Sequence, residues 1–193
     1  IFMSTLDQED VNIMKAAKIC VAAERFQYDY LNDDITNDGK IDYTLTNKIP
    51  QNLQNVIRDA NEGKKKLLVL INPPYGEATS SDNAAKGVGT AASKTGIAKT
   101  KFAEFGMTEF GKARNELFTQ FVARIAKEIP NATLAMFSTL KYVNAQTMAT
   151  FREKWKTRYL DGFVVHSKSF DGLKGDFPIG FLIWKTFNAV ANG

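Results

Sequence analysis

The stretch KKKLLVLINPPYGE, from Lys64 to Glu77, decides how this chain is interpreted. Residues 67–71 are apolar without interruption, which predicts a strand that is buried on both faces at the centre of a parallel sheet. Two prolines follow Asn72, and they end the strand there because proline has no backbone N–H and a fixed φ. The carbonyl groups that the strand leaves unpaired can therefore serve another purpose.

Composition narrows the class of protein. The chain has 193 residues, of which 44% are hydrophobic and 24% charged, as expected for one globular domain. A single cysteine, Cys20, and a single histidine, His166, argue against a disulfide framework, a zinc site and histidine-based nucleophilic catalysis. No apolar run approaches the roughly 20 residues of a membrane span. We expect a cytoplasmic protein of prokaryotic or phage type, without a metal or membrane partner.

Apolar spacing predicts alternating strands and helices. The last two strands are separated by a turn at 172–176, which indicates an antiparallel pair. Residues 76–111 are rich in Ala, Gly, Ser, Thr and Lys, which predicts a mobile loop within the domain. The order favours an α/β sheet, mostly parallel, with an antiparallel C-terminal strand and helices on both faces. Strands are predicted near 1–4, 24–32, 67–71, 132–139, 161–170 and 177–187, and helices near 6–23, 50–62, 114–129 and 144–159.

Asn-Pro-Pro-Tyr carries the chemistry. Ligands of such sheets bind at the carboxyl ends of the strands, where Asn72 stands. The side-chain carbonyl of Asn72 and the backbone carbonyl of Pro73, held rigid by Pro74, can accept both hydrogens of a planar amino group while Tyr75 stacks on the ring. The plain alternative is that these residues are turn formers that end a strand. Four specified residues arise by chance in such a chain at a rate on the order of one in a thousand, which favours function.

The motif Asn72-Pro73-Pro74-Tyr75 resembles the catalytic motif of S-adenosylmethionine-dependent amino-methyltransferases, above all the DNA adenine-N6 methyltransferases of restriction-modification systems. The resemblance covers nearly the whole chain. It implies a partial Rossmann-like methyltransferase sheet, S-adenosylmethionine as cofactor and double-stranded DNA with a flipped adenine as partner. The four motif residues are then catalytic, and Asn72 also borders the cofactor.

Two further segments resemble cofactor-binding motifs of this family. The sequence YDYL resembles the third-strand motif, which implies that Asp29 contacts the cofactor's adenine and that Tyr30 lies beside the ring. The sequence STLDQEDVNI resembles the end of the second strand, where the family usually has acids that bind the ribose. This chain has Thr5 and then Asp7 at those positions, and both become candidate cofactor-binding residues.

The sequence SKSF followed by a hairpin resembles the motif whose aromatic residue stacks on the flipped base. The resemblance makes Phe170 the partner of Tyr75 in a two-faced clamp, with Phe177 as the second choice. The family's Gly-rich first motif has no counterpart, since only Gly39 and Gly63 precede the catalytic asparagine. We therefore expect residues 1–193 to form a single truncated catalytic domain. It would need N-terminal and target-recognition segments of a longer protein and be inactive alone.

Two other functions stay open. Similar motifs serve methylation of cytosine N4, of RNA bases and of a protein glutamine amide, because each substrate presents a planar amine. The chain could also be a non-catalytic module that kept the motif and lost the cofactor.

Overall fold

The computed structural model describes residues 1–74, 99–170 and 176–187. Tyr75 and most of the predicted 76–111 loop lie outside these ranges. Within them the strands are β1 (Phe2–Thr5), β2 (Glu24–Gln27), β3 (Leu68–Ile71), β4 (Thr133–Thr139), β5 (Thr157–His166) and β6 (Pro178–Thr186). The α-helices are α1 (Gln8–Ala16), α2 (Gln51–Asn61), α3 (Leu117–Glu128), α4 (Lys141–Asn144) and α5 (Ala149–Lys154).

The strands form two sheets, so the chain has an α/β fold as predicted. Strands β1 and β2 pair in parallel, and the other four have the order β3-β4-β6-β5. The predicted antiparallel C-terminal strand is found, since β6 runs antiparallel to both β4 and β5. The prediction of a mostly parallel sheet is wrong for this four-stranded sheet. Strand β6 lies between β4 and β5 and runs opposite to both, so the β3–β4 pairing is the parallel one of the three pairings in this sheet.

Strand β3 does not have the central position that its composition predicted. Among the described strands it pairs with β4 alone, and Leu68 and Leu70 are 63% and 67% exposed. Val69 and Ile71, which alternate with them, pack against the core. An unbroken apolar run does not specify how many neighbours a strand has, because both faces and both edges depend on distant segments.

The core lies on one face of the four-stranded sheet. Leu134 and Met136 of β4 and Leu182 of β6 are buried with residues from α3 and α5. A second cluster packs α2 against the end of α3 and the start of β4 through Ile57, Ala60, Ile129 and Ala132. On the opposite face Phe163, like the two exposed leucines of β3, is more than half exposed. The predicted cover of helices on both faces is therefore not found for this sheet in the described residues.

Several element boundaries differ from the predicted ones. Strand β2 ends at Gln27, and helix α5 spans six residues before Trp155 and the start of β5. Within residues 99–111, which composition assigned to the loop, Phe102 is fully buried in a π-helical turn and Met107 is fully buried directly after it. Gly63, in contrast, follows α2 with φ of +75°, the left-handed conformation that glycine commonly adopts just after a helix.

Candidate active site

Strands β3, β4 and β5 end at the same edge of the four-stranded sheet. Strands β4 and β5 are both antiparallel to β6 and hence parallel to each other, while β3 is parallel to β4. Asn72 follows the last residue of β3 and is exposed, Pro73 is buried and Pro74 is exposed. The buried proline anchors the segment while the asparagine faces solvent at the carboxyl edge. Tyr75 is outside the described residues, and its predicted stacking role stays a prediction.

An aromatic pair lies near the end of β3. The register of β3 with β4 ends where Ile71 pairs with Met136, so Asn72 and Phe137 are each the next residue after this last pair. The ring of Phe170 contacts Phe137 edge-on, with ring centroids 5.6 Å apart. The predicted base-stacking residue therefore contacts the residue of β4 that follows the last β3–β4 pair, and its role at the base stays a prediction.

Phe170 follows a short helical turn at the end of β5, which the hairpin holds in place. Ser167 N–H donates to the carbonyl oxygen of Phe177 at 2.9 Å, and Phe177 N–H donates to the Ser167 hydroxyl at 3.2 Å. His166 pairs with Asp176 through Nε2, and Lys168 Nζ lies 3.1 Å from the same carboxylate. The backbone of Phe177, the second candidate for stacking on the base, is therefore hydrogen-bonded within the hairpin. Its ring has no described contact with Phe137.

Three of the other predicted cofactor residues lie at the carboxyl ends of β1 and β2. These strands are parallel with Thr5 opposite Gln27, so Thr5, Asp7 and Asp29 follow the same edge. The Thr5 hydroxyl donates to Asp10 at 3.0 Å. Asp7 is exposed and precedes α1 without a side-chain bond to the helix backbone. Strand direction places the three residues at one edge of the sheet, although they are distributed over two segments.

Asp29 belongs to a tight turn after β2. Its carboxylate accepts from the backbone N–H of Leu31 at 3.2 Å and from the side-chain amide of Asn32 at 2.8 Å. Its own N–H donates to Asp33 at 2.9 Å. Since an ionised carboxylate has about four acceptor positions, Asp29 keeps capacity for an external donor.

Tyr30 turns away from that edge. Its ring stacks on Phe121 with centroids 5.8 Å apart, the Arg124 guanidinium lies 4.3 Å from its centroid, and its hydroxyl donates to Glu128 at 2.7 Å. Burial, together with the Glu128 charge, raises the pKa of the Tyr30 phenol well above its usual value. The predicted place of Tyr30 beside the cofactor ring stays a prediction, and its half-buried side chain packs against α3.

Arg124 is a buried charge that lies between Tyr30 and Glu128. It was not among the residues predicted from the sequence. Its side chain is fully buried, with Nε 3.3 Å from Glu128, and Tyr43 also donates to that carboxylate. Burial lowers the pKa of the guanidinium, but Glu128 and the adjacent phenols outweigh this and raise it above its usual value. A signal existed: Leu117, Phe121, Arg124 and Glu128 follow the i, i+4, i+7, i+11 spacing of one helical face.

A second missed pair lies between α3 and the end of β4. Glu116, buried just before the first residue of α3, forms an ion pair with Lys141, which begins α4. The pair fixes the start of α3 beside the carboxyl end of β4. The predicted helix near 114–129 included Glu116, whereas the observed helix begins one residue later, and the sequence did not indicate this ion pair.

Comparison of the sequence with protein-family models and with curated proteins gives no match. None of the described helices has the length and apolar character needed to cross a membrane. Within residues 1–74, 99–170 and 176–187, no three His, Cys, Asp or Glu side chains are grouped so as to bind a metal ion. The functional interpretation therefore depends on the motif and on the geometry around it.

Proposed function

We propose that this chain is the catalytic part of an S-adenosylmethionine-dependent DNA methyltransferase that modifies the exocyclic amine of adenine, acting within a longer protein. The observation that carries the proposal is the position of Asn72. It is exposed at the carboxyl end of β3, directly before the buried Pro73. Like Phe137 of the Phe137–Phe170 aromatic pair, it is the first residue after the last β3–β4 pair. An amine acceptor and a stacking surface are the two things that a flipped base requires.

Asn72 and Pro73 act on the amino group in this proposal. The nitrogen of an exocyclic amine shares its lone pair with the ring and is a poor nucleophile. Carbonyl oxygens of Asn72 and Pro73 accept its two hydrogens, which favours a tetrahedral nitrogen whose lone pair is free to react. S-adenosylmethionine, when bound, supplies an electrophilic methyl group. Because Asn72 is exposed, the proton that the nitrogen loses has a route to solvent.

The donor and acceptor groups at the other sheet fit the adenosine part of this cofactor. Asp29 retains acceptor positions for an exocyclic amino group, and Thr5 and Asp7 offer oxygens to ribose hydroxyls at the adjacent strand end. These residues would hold the cofactor by hydrogen bonds at the ends of parallel strands, which is the usual ligand position of such sheets.

The proposal requires further protein. Gly39 lies in a turn where its N–H donates to Thr36, and Gly63 ends α2, so neither glycine forms a strand-to-helix turn. Within the described residues, β1 and β3 each pair with one strand only. We propose that the longer protein supplies the Gly-rich segment that binds the methionine part of the cofactor, and a target-recognition segment.

The test is a transfer assay with the full-length protein and cofactor that carries a tritiated methyl group. The acceptors are duplex DNA containing adenine, the same duplex with N6-methyladenine at every adenine, RNA of matching sequence, and a glutamine-containing peptide mixture. The proposal expects label in the first duplex alone. Label in the second duplex would indicate cytosine N4, and label in RNA or peptide would identify a different planar amine. No transfer to any acceptor, with no cofactor binding, would support the non-catalytic module.

A further inference from the structure

Arg124 is an unusual residue for the interior of a small domain. It has the largest side chain among the fully buried residues of the described chain, and it carries a charge. Removing a guanidinium from water is costly unless its donors are satisfied, so a buried arginine requires a set of matching acceptors. Glu128 provides one of them, at the i+4 position of the same helix.

The other acceptors all belong to the turn that carries Asp29. The Arg124 guanidinium donates to the backbone carbonyls of Tyr30 and Asp33, the second at 3.0 Å, and to the Tyr28 hydroxyl at 2.7 Å. These three groups flank Asp29 on both sides in sequence. Helix α3 thus holds the turn through one side chain that is more than 90 residues away from it.

The direction of the Asp29 carboxylate depends on the shape of this turn. Each of its oxygens is bonded within the turn, one to Leu31 N–H and the other to the Asn32 amide. The Asp29 N–H donates to the side-chain carboxylate of Asp33. The backbone carbonyl of the same Asp33 accepts from Arg124. A change in the Tyr30 and Asp33 carbonyl positions would therefore reorient the carboxylate.

We infer that Arg124 is a positioning residue for cofactor recognition. It fixes the 28–33 turn so that the Asp29 carboxylate is presented at the carboxyl edge of β2. The inference rests on the proposed function, because it concerns the residue expected to contact the cofactor's adenine. Arginine suits this task because its planar group offers five donors in a fixed arrangement, whereas lysine offers three from a single nitrogen. Glu128, which also accepts from the Tyr30 hydroxyl, orients the guanidinium.

The experiment measures S-adenosylmethionine affinity by calorimetry and methyl transfer at saturating cofactor, both in the full-length protein. Arg124→Lys should weaken cofactor binding by at least about tenfold, the effect of losing a hydrogen bond to a charged group. At saturation the transfer rate should stay within about threefold of wild type, since Asn72 is untouched. The control is Trp155→Phe, which removes another buried donor to α3, the 3.1 Å bond to Val122, and should leave affinity unchanged.

A double-mutant cycle with Asp29→Asn separates positioning from general stability. If Arg124 acts through Asp29, the double variant Arg124→Lys/Asp29→Asn should bind the cofactor no more weakly than Asp29→Asn alone. The reason is that Arg124→Lys removes nothing further once the Asp29 carboxylate is absent. The double variant Arg124→Met/Glu128→Leu removes both buried charges. This variant protein should fold and should still bind S-adenosylmethionine more weakly than wild type.

Wild-type affinity in Arg124→Lys, additive losses in the cycle, or equal losses in Arg124→Lys and Trp155→Phe would overturn the inference while leaving the proposed function intact. Failure of the wild-type protein to bind the cofactor would overturn both.

Discussion

The ring of Phe170 lies edge-on against the ring of Phe137, with centroids 5.6 Å apart and planes inclined at 78°. Phe137 in turn packs against Phe181 at 4.7 Å. This chain of rings crosses from the hairpin to β4, at the level where β3 ends and Asn72 begins. Phe170 therefore has a defined contact with the residue of β4 that follows the last β3–β4 pair.

Phe170→Ala should weaken methyl transfer by about tenfold or more in the full-length protein, because a base–aromatic stacking contact contributes about 1–3 kcal/mol. Phe170→Trp keeps a stacking face and should retain most of the activity. The measurement is single-turnover methylation of a duplex that contains one target adenine.

Phe177→Ala is the matched control, since Phe177 belongs to the same hairpin and has no described contact with Phe137. Near-wild-type activity in Phe170→Ala, combined with loss in Phe177→Ala, would show that the second aromatic stacks on the base. If neither variant loses activity, the two-faced clamp does not operate in this protein.

Alkaline pH should unfold the chain through its buried phenols. Burial is the largest cause that raises the pKa values of Tyr28, Tyr30 and Tyr43, and burial also raises the pKa of Tyr142 to about 12. A raised pKa in the folded state means that the folded chain retains protons that the unfolded chain releases above about pH 10. The stability contribution is complete below that pH and is lost as the pH rises further.

The check is absorbance at 295 nm, which reports phenolate, recorded with circular dichroism during a pH titration. Four of the six tyrosines should ionise only together with unfolding. In Tyr30→Phe, the absorbance change at 295 nm that accompanies unfolding should be smaller by the contribution of one phenol. Smooth ionisation of all phenols near pH 10 with unchanged circular dichroism would show that Tyr28, Tyr30 and Tyr43, which surround Arg124, are not shielded from solvent.

The two faces of the four-stranded sheet should respond differently to substitution in the 193-residue chain. Leu134→Ala removes a fully buried side chain and should reduce the free energy of unfolding by about 2–5 kcal/mol. Leu70→Ser, at a position that is 67% exposed, should change it by less than about 0.5 kcal/mol. Urea denaturation measures both. A loss of more than about 2 kcal/mol for Leu70→Ser would mean that this face is covered.

Local pattern predicted the helices and strands well where one amphipathic face decides the structure. Helix α2 and helix α3 lie within their predicted ranges, since apolar residues recur at helical spacing there. The parallel direction of β3 and β4 and the antiparallel hairpin also followed from the order of elements.

Sheet position could not be predicted in the same way. The run from Leu67 to Ile71 indicated burial on both faces, yet the described fold leaves Leu68 and Leu70 exposed. The burial of a strand depends on which segments cover it, and those segments are distant from it in sequence. The alternation at Tyr28 and Tyr30 was likewise interpreted as a strand, whereas both side chains turn toward Arg124 on a distant helix.

The sequence names the residues of the candidate site, and their roles stay predictions; their geometry could be predicted only in part. Thr5, Asp7 and Asp29 were placed at strand ends by the resemblance, and the parallel pairing of β1 and β2 brings them to one edge. Arg124 was missed because a charge within a helix usually indicates a solvent face.

The most direct test of the central claim compares wild type with Asn72→Ala in the full-length protein. Both are incubated with duplex DNA and cofactor bearing a deuterated methyl group, and the DNA is digested to nucleosides for mass spectrometry. The account predicts deuterated N6-methyladenosine with wild type and a loss of at least about a hundredfold with Asn72→Ala, while calorimetry finds cofactor affinity nearly unchanged, because the asparagine acts on the amine. Deuterated N6-methyladenosine formed by Asn72→Ala within a few-fold of the wild-type rate would contradict it.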